Sequence, residues 1–335
     1  MNATALPAAV MPAGHRLGAW APAVVVFLAL ALLPVVFEGY VVYILPQYML
    51  FGVMAMSLAL LWGQTGILSF GQAGFFAIGG YAIGIGMSHE LPINPAYIGI
   101  LTGILVCAVT AALIGYFLFS AGVRDSYFVL VTLALSIMVE QIAVSQSELT
   151  GGWNGMFIMR PILTAPGLEL PLDGDVSIYY VVLVVAAAVY AGLRALTTAR
   201  FGKILVGIRE NETRMEALGY RTVLYKTAAF ALSAGIAGLA GALYGTHAGF
   251  VSPSLGGALF STEAVVWVAV AGRSSLLAAF LGGVIVSSLS NYLSALTPGL
   301  WQLFMGLLFI AAITLFRGGI AGFLGRLPAR RRAMP

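Results

Sequence analysis

The sequence predicts an all-α protein, a polytopic transmembrane helix bundle of about ten membrane segments with both termini inside. Three observations predict it. Of the 335 residues, 61% are hydrophobic and only 8% are charged, with a mean hydropathy of +1.00, where a soluble domain has about 45–50% apolar and about 25% charged residues. The apolar residues fall in runs close to the roughly 20 that a helix needs to cross a bilayer core about 30 Å thick. Basic residues collect between alternate runs, as they do in cytoplasmic loops.

The first run is 20–37. Arg16 precedes it, as in a secretory leader, but no small-x-small cleavage site follows, and Glu38-Gly39-Tyr40 leads directly into more apolar sequence. It is read as an uncleaved first span. The remaining runs are 41–62, 67–87, 96–120, 126–146, 177–196, 227–248, 255–272, 276–295 and 301–317. If residues 1–19 form a cytoplasmic tail and all ten runs cross, 15 of the 16 Lys and Arg residues lie inside and only Arg160 lies outside. The +4 net charge is therefore read as topology rather than as a nucleic-acid surface. Run 255–272 is short and flanked by glycine, so a broken or re-entrant helix is its alternative. Dropping it would strand Arg330–Arg332 outside, which favours a crossing. Residues 318–335 are then a basic cytoplasmic tail.

Two loops exceed a simple turn. The outer one, 147–176, carries four acids, three prolines and five glycines, the composition of a solvated, partly ordered cap. The inner one, 197–226, holds six basic and three acidic residues and has the pattern of a helix lying at the membrane surface. Ile204, Ile208, Met215 and Leu218 recur near helical spacing, Glu210 and Arg214 can pair at i,i+4, and Gly219 stands where a helix end takes a left-handed residue. An amphipathic connector resting on lipid headgroups and a docking helix for a cytoplasmic partner both fit.

Gly235, Gly238, Gly241 and Gly245 lay a small-residue stripe on the seventh span, which permits close helix approach. Gly71, Gly74 and Gly84 do the same in the third. The pattern S-x-G-x-A-G occurs at Ser69–Gly74 and again at Ser233–Gly238, 164 residues apart, a short glycine-rich match that hints at two related halves, parallel in this topology. Ser69, Gln72 and Asn291 are polar residues inside spans, able either to line a path or to bond helices together. Glu140 and Glu263 are the carboxylates within spans, and such groups face water, a partner or a crevice.

No G-x-x-x-x-G-K-[ST] motif occurs, and the nearest sequences, Gly202-Lys203 and Gly272-Arg273-Ser274, lack its loop. There is no H-E-x-x-H or G-x-S-x-G either. The single Cys107 and the separated His15, His89 and His247 offer no metal-ligand cluster. The chain is therefore not read as an enzyme. The classes that remain are a channel, an ion-coupled carrier, or the membrane part of a pump driven by another polypeptide.

The blocks LLWGQTGILSFGQAGFFAIGGYA (60–82), YFVLVTLALSIM (127–138), ELTGGWNGM (148–156), FGKILVGIRENETRMEALGYRTVLYKTAAFALSAGIAGLAGALYG (201–245) and GFVSP (249–253) resemble the permease subunits of branched-chain amino acid ABC importers, the LivM-like kind. They span most of 60–317 in order. The resemblance implies a bacterial inner-membrane subunit with no cofactor of its own. Its partners would be a second homologous permease, two cytoplasmic ATP-binding subunits that bind the ATP, an extracytoplasmic substrate-binding protein, and membrane lipid. It also implies that Arg209, Glu210, Asn211, Glu212, Arg214, Ala217, Leu218 and Gly219 form a coupling helix held in a groove of the ATPase.

On that basis substrate passes between the two permeases beside the third span, with Ser69, Gly71, Gln72, Gly74 and Glu263 as conduit candidates. The turn Gly151, Gly152, Trp153, Asn154 is the candidate contact for the binding protein. The chain departs from the family pattern at Ala271-Gly272-Arg273-Ser274-Ser275, where many such permeases have a G-G-x-G-S/T loop, and its VVWVAV stretch also resembles urea permeases of the same superfamily. Branched-chain or other hydrophobic amino acids are the expected substrates, with urea or short amides the alternative. A lone ion-coupled carrier or channel is the alternative from another class.

Overall fold

The computed structural model describes residues 20–88, 94–123, 125–160, 162–165, 168–171 and 174–296, with isolated positions between 299 and 311. Both predicted tails and most of the run 301–317 lie outside the described residues.

Helix α1 (Ala21–Val36) turns at Gly39, whose φ of +72° suits glycine, into α2 (Tyr40–Ala59), which continues as a π-helical turn over Leu60–Thr65. Then follow α3 (Gln72–Met87), α4 (Pro95–Ser120), α5 (Asp125–Ser145) and the short α6 (Ser147–Thr150). After them come α7 (Asp175–Thr198), α8 (Arg200–Glu210), α9 (Glu212–Ala217), α10 (Thr222–Ala248), α11 (Ala258–Ala271) and α12 (Leu276–Leu296). Among the described residues six helices, counting α2 with its π-turn, are long and apolar enough to cross a membrane, and α1, α3 and α11 are shorter apolar helices. The chain is an all-α multi-pass membrane protein.

At about 1.5 Å per residue, α1, α3 and α11, of 16, 16 and 14 residues, fall short of the roughly 30 Å core, and α3 and α11 each follow a non-helical link. The run 67–87 was expected as one span, yet residues 66–71 are not helical and α3 starts only at Gln72. Of the run 255–272, residues 258–271 form α11 without a break, and β4 (Phe250–Val251) and a 3₁₀ turn over Pro253–Gly256 precede it.

The internal symmetry differs from the parallel repeat at which the short motif hints. Helices α2 and α10 lie side by side in opposite directions: Tyr43 meets His247 at one end, Phe51 stacks on Tyr244, and Ser233 donates to the Ser57 carbonyl toward the other. Each is followed by a non-helical link, a short helix and a long helix. The units α2–α3–α4 and α10–α11–α12 are thus inverted copies with exchanged partners, α10 packing on α4 and α2 on α12. The two S-x-G-x-A-G segments do not occupy equivalent places. Ser69–Gly74 forms the link and first turn of α3, Ser233–Gly238 lies inside α10, and they face each other through a Gln72 Nε2 to Ser233 Oγ hydrogen bond of 2.8 Å.

Glycine sets the crossings. A Cβ on Gly79 would fall on the Gly238 carbonyl, one on Gly241 on the Phe76 carbonyl, and one on Gly238 against Cys107 and the Gly103 carbonyl. The second unit repeats the device, since a Cβ on Gly283 would meet the backbone of Gly52 and one on Gly52 the carbonyl of Phe280. Between these crossings Phe51 packs on Phe76, Tyr244, Phe260 and Trp267 with ring centroids 5.1 to 6.0 Å apart.

Charge separates the two ends. Arg273 lies over Trp62 at 5.5 Å and Lys226 over Phe119 at 4.9 Å at one end. At the other end, Arg160 pairs with Asp175 at 2.9 Å. There, β1 (Met156–Phe157) pairs antiparallel with β4, and β2 (Ile162–Ala165) pairs with β3 (Leu168–Pro171).

The close crossing makes a sign test possible. Gly241→Ala is expected to lower stability by about 1–3 kcal/mol, because its methyl meets backbone that cannot retreat. Gly192→Ala, with nothing within 4 Å, is expected to be neutral or stabilising by up to about 1 kcal/mol through helix propensity. Unfolding of both variants in detergent checks the pair.

Candidate functional site

A helix that begins in the protein interior has N-terminal amides without helical acceptors and little water to satisfy them. α3 and α11 both start just after a buried residue, and α5 supplies the partners. The Phe70 N–H donates to Thr132 Oγ1 at 3.1 Å and the Gly74 N–H to Ser136 Oγ at 2.9 Å. Ser136 Oγ donates to the Gly256 carbonyl at 2.8 Å and lies 2.9 Å from the Ser261 hydroxyl in the first turn of α11. One turn further along α5, the Glu140 carboxylate stands at the start of α11, where a Cβ on Gly257 would be 3.0 Å from Oε2. No side chain caps that helix, and the partial positive charge of its N-terminus suits a carboxylate.

Four of the conduit candidates lie within this junction. Ser69 accepts from the Gly71 N–H at 3.1 Å, and Gln72 bridges the Ser57 and Ser233 hydroxyls at 3.3 and 2.8 Å. Gly71 and Gly74 pack against Thr132 and Ser136. All four are buried between helices of one chain. Glu263 is placed differently, half-buried on α11 and lining a cavity of about 190 Å³ between α2, α11 and α12. Asn291 borders the same cavity and donates to Tyr40 Oη at 3.2 Å. Thr132 and Ser136 were not singled out in the sequence, although with Glu140 they recur every fourth residue in an otherwise apolar run.

The inner loop is an elbow rather than one helix. Asn211 leaves helical geometry (φ −161°, ψ +99°), and its side chain accepts from the Arg214 N–H at 2.9 Å to start α9. The expected Glu210–Arg214 pair therefore does not form. Glu210 pairs with Arg209 instead, at 2.7 Å. The predicted apolar face is divided as well, with Ile208 buried, Ile204 and Met215 half-buried, and Leu218 66% exposed.

The elbow is pinned to the bundle at both ends. Arg209 Nη1 donates to the Gly63 carbonyl at 2.5 Å, and its stem rests on Gly66. Lys226 pairs with Glu212 at 2.5 Å, and the Thr222 hydroxyl donates to Glu216 at 2.8 Å. Between elbow and bundle lies a cavity of about 300 Å³ reaching Thr65, Phe119 and Lys226. The eight predicted coupling residues thus divide by role. Arg209 and Glu212 hold the elbow, and Asn211 shapes it. Arg214, Ala217, Leu218 and Gly219 (φ +87°) form its exposed tip, with Glu210 exposed on the α8 side.

The turn after α5 is closely bonded. Thr150 Oγ1 donates to the Ala143 carbonyl at 2.5 Å, and Gly151, Gly152 and Gly155 all have positive φ. A Cβ on Gly151 would strike the Gly155 carbonyl. Gly152 is buried, while Trp153, 73% exposed, projects beside an exposed Asn154.

Apolar helices, two of them preceded by non-helical links, with a charged elbow at one end, describe a multi-pass membrane protein. The chain belongs to the family of permease components of branched-chain amino acid transport systems, whose family model matches residues 40–313. It is similar to the high-affinity branched-chain amino acid transport system permease protein LivM of Salmonella typhimurium, at 28% identity over 260 residues, and to that of Escherichia coli, at 27% over 263. Each match covers 71% of this chain and 60% of the relative, so the chain spans about three fifths of the length of these relatives. A probable branched-chain amino acid transport permease protein LivM of Methanocaldococcus jannaschii is 26% identical over 239 residues, 61% of this chain and 66% of that protein. No solved structure matches.

The junction on α5 predicts a specific cost. Ser136→Ala leaves the Gly74 N–H and the Gly256 carbonyl without that partner and is expected to destabilise by about 1–3 kcal/mol. Ser288→Ala, which removes only a bond back to the Val284 carbonyl of its own helix, is expected to change stability by less than about 0.5 kcal/mol. Thermal unfolding in detergent measures both.

Proposed function

We propose that this chain is a membrane-spanning permease subunit of an ABC importer. It moves branched-chain or other hydrophobic amino acids across the bacterial inner membrane, using ATP hydrolysed by partner subunits. Family membership and the names of the relatives support the substrate class. The assembly would contain a second homologous permease, two cytoplasmic ATP-binding subunits and an extracytoplasmic binding protein. The termini and the elbow would lie on the cytoplasmic side.

The observation that carries the reading is the elbow. Arg214, Ala217 and Leu218 present a short charged and apolar tip to the outside of the bundle. Its base is tied to two different helices, through Arg209 to the end of α2 and through Lys226 and Thr222 to the start of α10. A load applied at the tip is delivered to α2 and α10, the antiparallel pair at the centre of the inverted units. The links before α3 and α11 are where the chain has least helical bonding to resist a change of direction. At the opposite end, the closely bonded turn carrying Trp153 and Asn154 offers a surface for the loaded binding protein.

The double variant Arg214→Glu with Leu218→Asp alters only exposed side chains, so the subunit should fold as before. In reconstituted importer, binding-protein-stimulated ATPase activity and amino acid uptake are expected to fall at least about tenfold, the loss of one contact hot spot. Unchanged stimulation would remove the elbow from its assigned place.

A further inference from the structure

The cavity between α2, α11 and α12 contains an unusual chemistry for a membrane segment. Glu263 lines it from α11, and among the described residues no Lys, Arg or His is paired with this carboxylate. Ser287 lines it from α12; its residue is 6% exposed and its Oγ has no hydrogen-bond partner. A carboxylate away from water is costly unless something neutralises it, and a buried hydroxyl is costly unless bonded. Both groups face the same space.

The walls divide into two kinds. Phe51 and Trp267, stacked 5.1 Å apart, provide an apolar floor. Gln47 and Ser290, half-buried, stand at the mouth with the exposed Asn291. Amide and hydroxyl groups in that position would be poorly placed against lipid tails, so the mouth opens on water or on a second subunit, as the wall of a conduit between two permeases would. About 190 Å³ is room for several waters at about 30 Å³ each, or for one small organic molecule in their place.

We propose that this cavity is a substrate station that takes the ammonium group of a small zwitterionic amino acid at Glu263. The amino acid carboxylate lies toward the hydroxyl and amide donors of α2 and α12, and its aliphatic side chain lies on Phe51 and Trp267. The inference rests on reading the chain as an importer subunit, and it narrows the substrate class. An ammonium group neutralises the carboxylate and gains from the adjacent ring faces. Urea and other neutral amides leave Glu263 uncompensated.

The test uses the complete importer in proteoliposomes. Ser290→Cys places a reporter at the mouth, with Ser294→Cys, also on the lining, as the substitute should the first not assemble. The native Cys107 is buried. Labelling by a neutral methanethiosulfonate is followed with added leucine, with 4-methylpentanoate, which has leucine's skeleton without the amine, and with urea. Leucine is expected to slow labelling, and the other two are not. In a Glu263→Gln background the leucine concentration needed for protection is expected to rise at least about tenfold, as for loss of a charged hydrogen bond, with unprotected labelling as before.

Protection that is unchanged in Glu263→Gln, or that 4-methylpentanoate or urea matches, overturns the station. Leucine uptake by the importer without leucine protection at the mouth also overturns it while leaving the importer reading standing. Failure of the assembled importer to take up any hydrophobic amino acid overturns that reading itself.

Discussion

Three backbone groups at the starts of two short helices converge on two hydroxyls of α5. The amides of Phe70 and Gly74 and the carbonyl of Gly256 all find their partners at Thr132 and Ser136. In the protein interior there is little water to take their place, so neither non-helical link can exist without α5 in register. The position of α5 therefore fixes where α3 and α11 begin. It also fixes the depth at which the chain leaves helical geometry, and the placement of Glu140 at the start of α11.

The parts of the fold set by hydropathy were legible because a crossing helix has one dominant requirement, length of apolar run. The close crossings were legible for a similar reason, since Gly238 and Gly241 repeat on one face of a helix. The non-helical links were not. Residues 66–71 include Ile67, Leu68 and Phe70, so a hydropathy window passes through them unbroken, and only Gly66 at φ +79° marks the turn. The break of the elbow at Asn211 had a local signal, an asparagine followed by an acid in the next position, which suits a helix start. It was obscured by the even spacing of apolar residues on both sides.

Of the candidate site, the sequence revealed composition better than placement. Ser69 and Gln72 looked like path residues because they are polar inside a span. The geometry places Gln72 as a bond between helices, the other use of polar groups in membranes, and Ser69 as a local acceptor for the Gly71 amide before α3. Glu263 had the same sequence credentials and is found on a cavity. Nothing local separates these cases. The difference is set by partners distant in sequence, Ser233 for Gln72 at a separation of 161 residues, and Ser287 and Ser290 on the wall opposite Glu263.

The contacts divide the bundle into two glycine-tightened groups, α3 with α4 and α10, and α2 with α11 and α12. A small polar cluster of Ser57, Gln72 and Ser233 joins them. Backbone packed on backbone, as at Gly79 against Gly238 or Gly52 against Gly283, leaves no side chain that could yield, so each group moves as a body if it moves at all. The elbow is fastened to both, by Arg209 to the first helix of one group and by Lys226 to the long helix of the other. On the importer reading, force at Leu218 and Arg214 therefore acts across the seam between the groups. The seam holds that polar cluster beside the rings of Phe51, Phe76 and Tyr244, and is flanked by the two non-helical links. The Glu263 cavity lies wholly within one group, so a substrate held there would be carried with it rather than squeezed between bodies.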